Sequence, residues 1–268
     1  MVLSKKIISI PIKTQYFPFL SNFMKHILQN SSPKLLLKLY QFCKYFYFKS
    51  RITIAPDVWY NPEKEEIKVF VNNGKDYYNH DYRNGGKLWL CEKLQINSGV
   101  YGYGLIGNVF LNKIYRNTLK KLVIYSGFTL FEELEILSKS PFLTEVILQT
   151  TVKNENDEPI SIEEIMVLFP NMKKFEICPT HFTLKSFQKL LTFKFLNKMN
   201  CLKFWMVRTE FDPISMCKFL KGIFDENAKF TLDFDYRLPE LKQQLLPRVK
   251  EIIGGWKTNK PKYVYFGF

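Results

Sequence analysis

Seven short segments with one shared pattern recur from residue 91 onward, and they limit the folds open to this chain. They are CEKLQI from Cys91, LKKLVI from Leu119, LTEVIL from Leu143, MKKFEI from Met172, LKFWMV from Leu202, AKFTLD from Ala228 and PKYVYF from Pro261. Their starts lie 28, 24, 29, 30, 26 and 33 residues apart. Most read L/M-x-x-φ-x-φ, where φ is apolar, which turns the later apolar side chains to one face of a strand. Helical patterns lie between them. Thr129-x-x-Glu132 and Ser161-x-x-Glu164 have capping-box form, and Asp212-Pro213 is an N-cap followed by Pro at the first helical position. Apolar stripes follow each start, for example Leu184, Phe187, Leu190 and Leu191. Strands that alternate with helices over such short connections imply a parallel sheet. Units of this period bury their apolar faces by stacking on their neighbours. The pattern therefore predicts an α/β chain whose residues 88–268 form a strand–helix solenoid ending on a strand from Tyr263 to Phe268. A doubly wound α/β domain is the competing fold.

Residues 16–48 carry a different signal. Leu20, Phe23, Met24, Ile27 and Leu28 fall at i, i+3, i+4, i+7 and i+8, one face of a helix. Ser32-Pro33 marks a second helix start, with Leu36, Leu39, Cys43 and Phe46 at helical spacing beyond it. So small a unit has too little core to bury both faces of its helices alone, so it needs a partner. Residues 1–15 hold a short apolar alternation from Ile7 to Ile12, cut by Pro11, that reads as a loose arm or a short strand. Residues 51–87 read as an irregular linker with a first strand in EEIKVFVNN (65–73), then a polar Gly-rich loop over 74–87.

The order of signals in residues 16–50 resembles the F-box motif: Phe17-Pro18, then Ile27-Leu28, then Ser32-Pro33-Lys34-Leu35-Leu36, then Phe42-Cys43-Lys44-Tyr45-Phe46. The acidic residue that usually follows the Leu-Pro pair of that family is replaced here by Phe19 and Leu20. The downstream repeat resembles the irregular leucine-rich repeats found behind F-box motifs, although the Asn or Cys that usually follows the strand is missing from most units. The resemblance implies a substrate-recognition subunit of an SCF-type cullin–RING ubiquitin ligase. The N-terminal helices would bind a Skp-type adaptor, and the repeat would hold a protein target. The adaptor-facing and packing positions it implies are Phe17, Pro18, Phe19, Phe23, Ile27, Leu28, Pro33, Leu36, Cys43 and Phe46. Ubiquitin transfer would belong to other subunits, so the chain is expected to be non-enzymatic, with no cofactor and no metal.

Charge fits such a partner. The net charge is +14, yet residues 1–57 hold nine Lys or Arg against the single acid Asp57. A skew of this kind points to an acidic partner at the N-terminal module, and the adaptor of the family is acidic. The five cysteines, Cys43, Cys91, Cys178, Cys201 and Cys217, are odd in number and irregularly spaced, as in a reducing compartment. No run of 18 apolar residues occurs, so no membrane span is expected, and the address read from these features is cytoplasm or nucleus.

Other motifs point elsewhere. Gly102-x-Gly104-x-x-Gly107 has the form of a dinucleotide fingerprint between a strand-like KLQI and a helix-like NVFLNKIYRN, the alternative being a nucleotide-binding α/β enzyme. The acid wanted at the end of the next strand is absent, since LVIY runs into Tyr125-Ser126-Gly127. Lys44 to Lys49 interleaves lysine with aromatics and could hold nucleic acid, although an amphipathic helix gives the same pattern. His26, His80 and His181 show no metal spacing. The pairs Glu132-Glu133 and Glu163-Glu164 sit in first helical turns, where they complement the helix dipole. Phe204, Trp205, Phe230, Asp233, Asp235 and Tyr236 lie in or near the strand face and strand ends left for recognition.

Overall fold

The computed structural model describes residues 21–42, 52–71, 76–80, 86–98, 106–258 and 260–267. The chain divides into two compact units between Ser50 and Arg51.

The first unit contributes two helices, α1 (Ser21–Asn30) and α2 (Pro33–Phe42). The expected start of α2 is present: Pro33 is its first residue, and the Leu35 amide donates to Ser32 Oγ at 3.3 Å. Met24 is buried, with Ile27, Leu28, Leu39 and Tyr40 packed around it. The apolar spacing read along the two helices thus forms a small shared core.

The second unit is α/β. Its strands are β1 (Ile52–Asn61), β2 (Glu66–Val71), β3 (Asp76–Asn79), β4 (Lys87–Asn97), β5 (Ile114–Asn117), β6 (Lys121–Leu130), β7 (Glu145–Lys153), β8 (Lys174–Cys178), β9 (Met199–Val207), β10 (Phe224–Phe234) and β11 (Tyr263–Phe266). Its helices are α3 (Asn108–Leu111), α4 (Phe131–Ser138), α5 (Ile162–Val167), α6 (Ser186–Thr192), α7 (Pro213–Ile223) and α8 (Pro239–Gly254). All eleven strands form one sheet in the order β11-β10-β9-β8-β7-β6-β4-β1-β2-β3, with β5 beside β4. Pairing is parallel except at β1–β2 and β2–β3.

From β6 to β11 each strand lies beside the next in sequence. Right-handed crossovers in an unbroken order put every crossover helix on the same face of the sheet. In agreement, α5 packs on α6, α6 on α7 and α7 on α8. A doubly wound sheet would place helices on both faces and reverse strand order between its halves.

Register explains the repeat. One ladder runs Leu94, Leu122, Val146, Phe175, Leu202, Phe230 and Val264, each opposite the next. A second runs Ile96, Ile124, Leu148, Ile177, Phe204, Leu232 and Phe266. Both belong to or pack against one continuous core on the helix side. Burying these side chains away from water is the main favourable contribution to folding of the sheet, at roughly 25 cal/mol per Å² of apolar surface. The register also corrects the phase of two units. Leu202 and Phe204 fill the paired φ positions, so that unit starts at Met199, and the next starts at Asn227, ahead of Phe230 and Leu232.

Several local expectations change. The stretch expected as an irregular linker with a first strand holds three strands of the same sheet. The polar loop over 74–87 contains β3, whose four residues are all exposed, so it has no apolar alternation to betray it. NVFLNKIYRN is not one helix: only Asn108–Leu111 is helical, and Ile114–Asn117 pairs with β4. β6 does not end at Tyr125 but continues to Leu130 past an irregularity between Tyr125 and Phe128, where Ser126 and Gly127 sit. Glycine inside a strand commonly marks such a bulge. The capping box of α4 falls one residue later than its sequence form, with the Leu130 amide donating to Glu133 Oε2 at 3.3 Å. Ser161 precedes α5 as expected, yet its side chain makes no cap bond. Asp212 caps α7 as expected, accepting from the Ile214 and Ser215 amides at 3.1 Å each.

Candidate recognition surface

Because side chains alternate along a strand, the residues between the φ positions project from the face opposite the helices. The third positions of the units form one row across the sheet: Lys93, Lys121, Glu145, Lys174, Cys201, Lys229 and Tyr263. The fifth positions form a second: Gln95, Val123, Ile147, Glu176, Lys203, Thr231 and Tyr265. Beyond β4 the rows continue through Asp57 and Trp59 of β1.

Charges on this face are interleaved. Glu145 meets Lys121 at 2.9 Å and Lys174 at 4.0 Å, and Glu176 meets Lys203 at 3.1 Å. The Lys121 hydrogen bond holds the Glu145 carboxyl below its ordinary range. Burial pushes Asp57 the other way, against the pull of Lys93. Aromatic rings stand among the charges: Lys68 Nζ lies 4.8 Å from the Trp59 ring, and Trp205 lies 6.1 Å from Tyr265 with Lys203 above it at 5.8 Å. The ammonium groups themselves lie over the ring faces, a cation–π arrangement, and Lys68 is also paired with Glu66 at 3.3 Å.

At the carboxyl ends of β9 and β10 the face meets an arginine pair. The Asp235 carboxylate accepts from Arg208 Nε at 3.0 Å and from Arg237 Nε and Nη2 at 2.9 and 2.6 Å. It also accepts from the Arg237 amide at 3.1 Å. Its side chain is 1% exposed, largely because the two guanidiniums cover it. The Arg237 hydrogen bonds, helped by Arg208, hold its carboxyl far below the usual carboxylate range. Neighbouring Asp233 is shifted upward by burial, with Lys242 opposing. Burial and Arg208 together lower the pKa of His181.

The residues expected on the recognition face divide. Trp205 is on it, and Tyr236 stands at its rim, 81% exposed. Phe204 and Phe230 are fully buried in the opposite ladders, packed edge to face at 6.4 Å. Asp235 is a buried anchor for two arginines rather than an exposed acid. The lysine rows, Arg208 and Arg237 were not singled out by sequence. Their signal was the third and fifth letters of each hexad, readable once the phase at Met199 and Asn227 is known.

In the N-terminal unit Phe23 is exposed, Ile27, Leu28 and Pro33 are partly buried, and Leu36 is fully buried, which makes Leu36 a packing position. Leu35 and Leu37 are 47% and 41% exposed and join Phe23 as apolar side chains at the surface. Phe17, Pro18, Phe19, Cys43 and Phe46 lie outside the described residues, as do the Lys44–Lys49 segment and Gly102 and Gly104. Gly107 is described, with φ +82°, and its amide donates to Glu133 Oε1 at 2.8 Å. The one-turn helix α3 follows it. Glu163 is likewise committed locally. Burial raises its pKa, but hydrogen bonds from Ser186, Lys189 and Thr183 outweigh that and leave it lowered. Cys91, Cys178, Cys201 and Cys217 are free thiols. Among the described residues no group of three His, Cys, Asp or Glu side chains is placed to hold a metal, and no helix is long and apolar enough to cross a membrane.

Comparison with known proteins finds no matching family model, no matching curated protein and no matching solved structure.

Proposed function

We propose that the chain is an interaction protein without chemistry of its own, a target-recognition subunit of an SCF-type cullin–RING ubiquitin ligase. In this reading the α1–α2 unit is an F-box-like module that docks a Skp-type adaptor. The second unit is a leucine-rich-repeat-like solenoid that holds a protein target, and the complex works in the cytoplasm or nucleus. The observation that carries the reading is the face opposite the helices. Two in-register rows of charged and aromatic side chains cross the parallel strands there, which is the makeup of a protein-binding surface. Support for the module comes from Phe23, Leu35 and Leu37, apolar side chains left at the surface of two short helices.

The nucleotide alternative draws less support. A phosphate cradle needs free amides at a helix N-terminus. Here the Gly107 amide is already taken by the Glu133 carboxylate, and the helix that follows is one turn long.

The test is capture of purified Skp-type adaptor by the full chain. Wild type is expected to retain it. Phe23→Asp combined with Leu35→Asp should lose it while circular dichroism and melting stay unchanged, because both positions are exposed. Absence of capture by folded wild type, or undiminished capture by the double variant, would reject the docking face.

A further inference from the structure

We propose that the open face takes an acidic polypeptide segment laid across the strands, its carboxylates meeting the lysines of the third-position row. The inference rests on reading the second unit as the target-binding part and supplies the target's chemistry.

Charge balance is the first argument. The two rows and their continuation onto β1 and β2 hold six lysines, Lys68, Lys93, Lys121, Lys174, Lys203 and Lys229, against Asp57, Glu145 and Glu176, with Glu66 paired to Lys68 at 3.3 Å on β2 and Asp233 next beyond Thr231 on β10. Glu145 is shared between Lys121 and Lys174, and Glu176 is taken by Lys203. Among the described residues neither Lys93 nor Lys229 forms an ion pair. Lys93 stands opposite Asp57, so the excess of six lysines over five acids is small and centred on Lys229, and it favours an anionic partner there.

Spacing is the second. Lys121, Lys174 and Lys229 occupy one row on alternate strands β6, β8 and β10. Neighbouring strands lie about 4.8 Å apart, so these ammonium groups recur roughly every 10 Å. A chain in the polyproline-II conformation has three residues per turn and advances about 3.1 Å per residue, so carboxylates three residues apart project to one side about 9 Å apart and come into step with them. Tyr265 of the fifth-position row and Trp205, two residues beyond Lys203 on β9, are in contact and offer an apolar seat beside the same track.

The interruptions favour a polypeptide over a nucleic acid. Single strands carry a phosphate on every nucleotide and ask for an unbroken cationic path. Glu145 and Glu176 stand inside the rows and would repel such a backbone. A polypeptide with spaced carboxylates can place neutral residues over them.

The experiment is fluorescence anisotropy on the full chain with three labelled probes: an 18-residue peptide of six Glu-Gly-Ser repeats, its Glu→Gln counterpart, and an oligothymidylate of equal length. The Glu peptide is expected to bind at least about tenfold more tightly than the Gln peptide, and to weaken as salt rises. Lys174→Glu with Lys229→Glu should reduce that binding about tenfold or more while circular dichroism stays unchanged and melting falls only slightly, since Lys229 is exposed and Lys174 makes only a partly exposed pair with Glu145. Equal binding of the two peptides, no binding of either at millimolar concentration, or an unaffected double variant would overturn the proposal. Oligothymidylate bound more tightly than the Glu peptide, with loss in the same variant, would assign the face to nucleic acid instead. Adaptor capture, measured in parallel, is a separate readout. If it persists while the Glu peptide fails to bind, the acidic chemistry falls and the receptor reading stands.

Discussion

Phe187→Ala is expected to destabilise the sheet unit by about 4 kcal/mol, the range for deleting a buried aromatic ring. Phe187 of α6 is 1% exposed. Its ring lies 5.0 Å from Phe182, 5.7 Å from Phe219, 5.9 Å from Phe211 and 6.3 Å from Phe204. This cluster joins three layers of the fold: the turn before α6, the helices α6 and α7, and the ladder strand β9. Truncation leaves a void that four rigid neighbours cannot close, so lost dispersion adds to lost hydrophobic transfer. The melting midpoint should fall by about 10 °C in a unit of this size. Leu191→Ala is the control. It lies on the same helix, 38% exposed, and should cost no more than about 1 kcal/mol. Equal losses for the two variants in urea unfolding would show that the phenylalanine cluster is not a packed core.

Asp235→Asn should cost about 2 kcal/mol and change how stability depends on acid. The carboxylate accepts four hydrogen bonds that hold Arg208 and Arg237 at the strand ends. The amide keeps one acceptor and loses the charge. Both guanidiniums are partly solvated, so they can turn to water, and the cost stays below that of breaking a fully buried pair. The sign of the pH effect follows from the lowered pKa of the folded state. A carboxyl bound more weakly by protons when folded contributes stability that is fully present above its unfolded pKa, about 3.9, and is lost as pH falls below it. Wild type should therefore lose stability steeply below about pH 4, and the variant less so. Glu145, Glu163 and Asp212 are lowered too and contribute to both curves, while Asp57 and Asp233, raised by burial, act in the opposite sense. The difference between the two curves isolates Asp235. Parallel curves would show that the clamp carries no acid-sensitive stability.

Much of the second unit was legible in the sequence because its apolar residues obey two clean periods. Leu122 with Ile124, Val146 with Leu148 and Phe175 with Ile177 were readable as strand positions, and Asp212-Pro213 as a helix start. The N-terminal helices were readable from Met24, Ile27 and Leu28. Legibility failed where a strand carries no apolar alternation. Asp76–Asn79 is an exposed edge, and backbone pairing rather than side-chain burial holds it in the sheet. It failed again at LKFWMV, where five of six residues are apolar and the phase cannot be chosen from polarity alone. Only cross-strand register distinguishes Phe204, buried, from Trp205, on the open face. The recognition surface was hidden for the same reason, since its lysines form a row only after seven distant segments are aligned. The pairing of Asp235 was not legible because its two arginines are 27 and 2 residues away in sequence and converge through the ends of β9 and β10.

Coupling of an adaptor to a target, the function we propose for this chain, is measured by titrating purified Skp-type adaptor into the full chain in a calorimeter. A saturable one-to-one complex of micromolar affinity or tighter is expected, abolished by Phe23→Asp with Leu35→Asp and unaffected by Lys174→Glu with Lys229→Glu. No heat of binding from a folded chain, or a complex lost through the sheet-face variant instead of the helix variant, would contradict it.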